Sequence, residues 1–133
     1  MKFLLSEENH FIRAAIKKVI QRNYPTASIE EAITGSELLA KALNKNYHWD
    51  LIISNIQSTG LAGIELTETL RKTQHIPILI LSAVKLEDYA NFAFLNYISG
   101  FILNNNISKD LPNAINSISS TGKYFTNQLR IAC

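Results

Sequence analysis

Apolar positions along this 133-residue chain alternate between two spacings. Five short runs, Lys2 to Ser6, Ala27 to Ala32, Leu51 to Ser54, Ile78 to Ser82 and Gly100 to Leu103, are separated by stretches long enough for a helix. Leu51-Ile52-Ile53 and Ile78-Leu79-Ile80-Leu81 carry no polar alternation, which is the pattern of strands buried on both faces. Between the runs the spacing turns helical. Phe11, Ile12, Ala15, Ile16, Val19 and Ile20 form an apolar stripe opposite Arg13, Lys17, Lys18, Gln21 and Arg22, and this helix ends before Pro25. Further helices are predicted at Ser36 to Asn44 (Leu38, Leu39, Leu43), Gly63 to Lys72 (Ile64, Leu66, Leu70) and Asp110 to Ser119 (Leu111, Ala114, Ile115, Ile118). Lys85 to Asn96 completes the set, unusually aromatic through Tyr89, Phe92 and Phe94, with Tyr97 directly after it.

This βα alternation with right-handed crossovers predicts an α/β fold: an open, doubly wound parallel sheet of five strands, with five helices on its two faces. Ligands in such sheets bind at the carboxyl ends of the strands. Those ends carry Glu7 and Glu8, Asn55, Ser82 and Asn104. The set is all oxygen-bearing, which suits a hard cation.

Composition narrows the function classes. An apolar content of 47% fills one core in a chain of this length. The formal charge of +2, spread along the chain, is too mild for a nucleic-acid footprint. A lone Cys133 leaves no disulfide framework or cysteine metal site and fits a reducing compartment. Glu7 and Glu8 interrupt the apolar start too early for a signal peptide, and no run of about 18 apolar residues exists. The expectation is a soluble cytoplasmic domain with no membrane association.

Six segments in order resemble the receiver domain of bacterial two-component response regulators, a CheY-like (flavodoxin-like) fold, most closely the NarL/LuxR branch. They are Phe3 to His10 with its acidic pair, Trp49 to Ile56 as the acceptor strand, Gly60 to Gly63 as the loop after it, and Ile76 to Ala83 as the switch-hydroxyl strand. Ser99 to Asn104 matches the strand bearing the switch aromatic and then the family lysine; Ser120 to Phe125 matches the segment leaving the domain. The resemblance implies strand order 2-1-3-4-5, a receiver-like domain over 1–120, and an exit segment over 121–133 toward a C-terminal helix-turn-helix output domain that would carry any DNA contact.

The departures fall on the chemistry. The resemblance puts Asn55 at the phosphate-accepting position and Asn104 at the lysine position, with Ser82 and Phe101 at the switch positions. A carboxamide oxygen is uncharged and a far poorer nucleophile than a carboxylate, so an acyl phosphate should not form on Asn55. Losing both members of the ion pair keeps the pocket at the same charge, −2, through Glu7 and Glu8. The glutamates are one methylene longer than aspartates, which fits Mg²⁺ geometry poorly. Glu7 and Glu8 are therefore weak Mg²⁺ ligands at most, no cofactor is expected, and their plainer role is that of solvated charges at a helix start. Ser82 is most simply a strand-end residue.

Tyr89, Phe92, Phe94 and Tyr97 are too many aromatics for one buried face. They point to a protein partner or homodimer through the surface of the fourth helix, fifth strand and fifth helix. His10, His48 and His75 show no ligand spacing and should lie on the surface. Asp50 opens its strand and so sits at the end of the sheet opposite the pocket. The reading is an atypical receiver, a signalling module and not an enzyme, that regulates an output domain or partner without phosphate. Alternatives are phosphotransfer through a non-standard acceptor and a small-ligand-sensing pseudo-receiver.

Overall fold

The uninterrupted apolar runs become strands in the computed structural model, which describes residues 1–55, 68–72, 75–83 and 97–125. In chain order the elements are β1 (Lys2–Ser6), α1 (His10–Asn23), β2 (Ser28–Ala32), α2 (Gly35–Ala42), β3 (Leu51–Asn55), a helical segment α3 at 68–72, β4 (Ile78–Ser82) and β5 (Gly100–Leu103). A 3-10 turn at Asn104–Asn106, α4 (Ile107–Thr121) and β6 (Tyr124–Phe125) follow. The predicted helix at Lys85 to Asn96, with Tyr89, Phe92 and Phe94, and the first half of the predicted Gly63 to Lys72 helix lie outside the described residues.

All strands pair in parallel, in the order β2-β1-β3-β4-β5-β6. The order 2-1-3-4-5 is as expected; the sixth strand is a correction. Tyr124–Phe125, read from sequence as part of an exit segment, turns back onto β5. Both residues pack against the cores on the two faces of the sheet, and two residues are too few to show a strand period in sequence.

Alternate residues of each inner strand feed opposite cores, which is why those strands read as unbroken apolar runs. Leu4, Ile52, Ile78, Ile80 and Phe101 join Leu38 and Ala42 of α2 and Leu70 of α3. Phe3, Leu5, Leu51, Ile53, Leu79, Leu81 and Ile102 join α1 and α4 on the other face. β2 is an edge strand and carries Glu30 and Glu31. Glu30 pairs with Lys41 at 3.5 Å and Glu31 with both Arg13 and Lys17 at 3.3 Å; charges along an edge discourage further strand pairing.

Two helices differ from their sequence reading. In α1 the buried stripe is Ile16, Val19 and Ile20. Phe11 is 83% exposed and Ala15 is exposed with it, because the 3.6-residue period sets 11, 15, 18 and 22 on the outer face. In α4 the helix starts at Ile107, before the expected Asp110, so Pro112 falls beyond its first turn. Ile107 packs on the same core as Leu111, Ala114, Ile115 and Ile118, and this burial offsets the hydrogen bond Pro112 cannot make. The α2 start follows a local rule: Thr34 caps Glu37 N–H at 3.1 Å, and the Glu37 carboxylate accepts from Ile33 N–H at 3.0 Å.

Candidate functional site

Register brings the chemistry together. Ser6 pairs with Ser54, and Asn55 with Leu81, so the residues at the carboxyl ends of β1 and β3 are neighbours. β1 and β3 also flank the point where strand order reverses, the place where open α/β sheets bind ligands. An open cleft of about 460 Å³ lies there, lined among the described residues by Glu7, Glu8, Asn9, Ile12, Asn55, Ala83 and Asn104. Four of the expected site residues, Glu7, Glu8, Asn55 and Asn104, thus share one cleft. Ser82 and Phe101 do not line it; both are buried in the sheet.

Glu7 departs from its reading as a solvated helix-start charge, being only 3% exposed. Asn9, two residues on, is the N-cap, and α1 starts at His10 with no acid in its first turn. Each Glu7 oxygen has its own donor. Oε1 accepts from Asn9 N–H at 2.9 Å, and Oε2 accepts from the Asn55 side-chain amide at 2.7 Å. Reversing the amide would set two acceptors face to face, so hydrogen-bond chemistry fixes its orientation. A buried carboxylate needs such partners, and the positive end of the α1 dipole adds to them. Glu8 is exposed.

The loop is fixed from behind. Arg13 Nη1 donates to the Glu7 carbonyl at 2.8 Å while its Nε lies 3.3 Å from Glu31. The Asn9 side chain accepts from Phe11 and Ile12 N–H at 2.9 and 3.1 Å. Sequence reasoning missed both residues. An Asn just before a helical stripe is a capping signal that could have found Asn9; nothing local could have found Arg13, whose partners are set by folding.

Asn104 differs from its neighbours. Both atoms of its amide are buried and have no hydrogen-bond partner among the described residues, a state that costs free energy where no partner exists.

A divalent cation finds a poor donor set in this arrangement. Among the described residues Glu7 is the buried carboxylate of the cleft and already has an N–H on each oxygen, and no three His, Cys, Asp or Glu side chains gather. These residues do not fit Mg²⁺, which demands near-octahedral oxygen ligation.

The remaining expected positions fall elsewhere. Asp50 is at the opposite end of β3, accepting from Lys2 N–H at 2.7 Å. His10, His48 and His75 are exposed. Tyr97 is half-buried, its hydroxyl 3.5 Å from Glu68 and its ring 5.7 Å from Lys72 Nζ, both on α3. Among the described residues no helix is long and apolar enough to cross a membrane.

Known proteins share this fold. The structure is similar to the isolated receiver domain of RcsB from Salmonella enterica serovar Typhimurium (TM-score 0.81, 14% identity, 99% of this chain and 97% of that one). It is also similar to a LuxR-family two-component response regulator from Aurantimonas sp. SI85-9A1 (TM-score 0.78, 22% identity, 94% and 88%). In sequence it is 35% identical over 83 residues to the transcriptional regulatory protein ResD of Bacillus subtilis, a stretch covering 62% of this chain and 32% of ResD. The chain thus spans about a third of that relative's length. The response regulator receiver domain profile matches residues 3–116, and the chain belongs to that family.

Proposed function

We propose that this receiver domain signals without phosphate on Asn55, regulating an output domain or a protein partner through surface contacts. The observation that carries the reading is the bond from the Asn55 amide to Glu7 Oε2 at 2.7 Å. A receiver with an aspartate at this position would set a second carboxylate against Glu7 and need a cation or proton between them. The amide removes that need and removes the nucleophile in the same substitution. Asn104, at the position that the resemblance gives the family's lysine, would itself supply no ammonium to meet a phosphoryl group.

On this reading residues 1–120 are the receiver-like domain and 121–133 its exit segment, which pairs with β5 through Tyr124 and Phe125. ResD's name makes it a transcriptional regulator and one structural neighbour is described as LuxR-family. These names support transcriptional output through a DNA-binding partner domain. The contact surface would include Tyr89, Phe92, Phe94 and Tyr97. Incubation with acetyl phosphate and Mg²⁺ followed by intact-mass measurement tests the central claim. An unchanged mass is expected; a stable gain of one phosphoryl group overturns it and favours phosphotransfer through another acceptor.

A second reading, a small-ligand-sensing pseudo-receiver, has one observation behind it. The amide of Asn104, without a partner among the described residues, stands beside an open cleft of about 460 Å³. A thermal-shift screen against polar metabolites, with no stabilisation by any of them, would remove it.

A further inference from the structure

Among the described residues β2 ends the sheet, and an open strand edge is a template for pairing with another chain. Strand alternation decides which main-chain groups face outward there. Ser28 N–H donates to the Met1 carbonyl at 3.0 Å, so residue 28 turns its main chain toward β1, and Glu30 and Ala32 follow it in alternation. Ile29, Glu31 and Ile33 therefore turn theirs to the outer side. Two of those outward groups meet side chains of α2. The Glu31 carbonyl accepts from Lys41 Nζ at 2.6 Å, and Ile33 N–H donates to Glu37 Oε2 at 3.0 Å.

A carbonyl at one residue and an N–H two residues on are what a single residue of a parallel partner strand would bond, giving its N–H to the first and its C=O to the second. Lys41 Nζ and Glu37 Oε2 supply that donor and that acceptor. The two side chains lie one helical turn apart and are paired with each other at 3.2 Å. Both are anchored on their main chain: Trp49 Nε1 donates to the Lys41 carbonyl, and Glu37 N–H donates to Thr34 Oγ1, each at 3.1 Å. The pair fills the place of one residue of a further strand, opposite Ala32. Both side chains keep contact with solvent, at 30% and 39% exposure, so they can withdraw without opening the core.

The edge under this plug is self-complementary. Two copies of β2 related by a two-fold axis at Glu31 would pair antiparallel, the two Glu31 residues exchanging both main-chain bonds and each Ile33 N–H meeting the Ile29 carbonyl of the second copy. The Glu31 side chains would meet already neutralised, each by Arg13 and Lys17 at 3.3 Å, and Glu30 would fall opposite Ala32. The Glu31 carbonyl and the Ile33 N–H, both needed for this pairing, are the two groups that α2 holds. We propose that the β2 edge is a latent self-association surface for a second copy of this chain, kept closed by the Glu37–Lys41 plug. The proposal does not depend on whether Asn55 takes phosphate.

Substitution at Lys41 tests it on the full chain. Lys41→Met keeps the length of the side chain and removes the donor, whereas Lys41→Arg retains one. By sedimentation velocity Lys41→Met should self-associate with a constant at least about a hundredfold above the wild type's, since neither copy then has a charge-assisted bond to break, and Lys41→Arg should stay within about threefold of the wild type. Amide exchange locates the contact: in Lys41→Met the outward Glu31 N–H should gain protection as protein concentration rises. Association no stronger than the wild type's, or association without that gain at Glu31, overturns the proposal. Glu37→Met removes the acceptor half of the plug and should shift association in the same direction. If neither methionine variant folds, the pair anchors α2 and guards no edge, and the proposal falls.

Discussion

Asn55 shows how one atom exchange redirects a site. Its amide nitrogen donates where an aspartate would present a second negative oxygen, and Glu7 is buried against it. Asn55→Asp should therefore lower stability by about 1–3 kcal/mol in EDTA, with the loss largely recovered in millimolar Mg²⁺. Thermal melts in the two buffers measure this; a loss indifferent to Mg²⁺ would mean that packing, not charge, is what Asn55 supplies. Asn104 predicts the opposite sign. Its amide is buried and has no partner among the described residues, so Asn104→Leu, close to isosteric, should raise stability by about 1 kcal/mol. A denaturant titration checks it, and a lowered midpoint would show that the amide has a partner in solution. The presence of these residues at strand ends was legible from the pattern of runs. Their pairing was not, because the bond between Asn55 and Glu7 crosses 48 residues of sequence.

Elements were more legible than contacts, wherever the signal was local. The strands at Lys2, Ile78 and Gly100 start and stop as the apolar runs do. α1 was found, but its outer face was misjudged at Phe11, since the first turn of a helix has few neighbours to define its stripe. The α2 start rests on Thr34 and Glu37, a capping pattern visible in sequence and overlooked. The Ile33 N–H, then Lys41, holds the Glu37 carboxyl below its ordinary range. A carboxyl whose native pKa is lowered contributes stability fully above its unfolded value and loses it as pH falls through the native one. The first turn of α2 should accordingly loosen in acid, below the ordinary carboxylate pKa. Amide exchange at Ile33 and Leu38 follows it, and Glu37→Gln should flatten the response; persistence of the pH dependence in that variant would assign it to another acid.

Over the whole molecule, stability rests on two cores sharing one sheet. Ile53, fully buried among the α1–α4 set, pairs in register with Leu5 and Leu79 on either side. Ile53→Ala should cost roughly 2–5 kcal/mol. Because the sheet joins both cores, Trp49 fluorescence on the α2 side and far-ultraviolet circular dichroism should still report a single transition. Separate transitions would show that the cores unfold independently. The cleft depends on the same sheet. Only the parallel register places Glu7 beside Asn55, and only the order reversal at β1 leaves a crevice between their strands.

The sequence by itself determined the alternation of strand and helix, the burial of the inner strands on both faces, and the residue types at their carboxyl ends. Each of these is written in neighbours a few positions apart, where hydrophobic period and capping chemistry act. Tertiary structure alone decided that Glu7 is buried and bonded to Asn55, that the Asn104 amide is buried, and that Tyr124 and Phe125 return as a sixth strand. These outcomes depend on which distant backbones come within hydrogen-bonding distance. That is set by register and, for Tyr124, by the absent side chain at Gly100, where a Cβ would lie 2.6 Å from the Tyr124 carbonyl oxygen; neither is expressed in any local window of the chain.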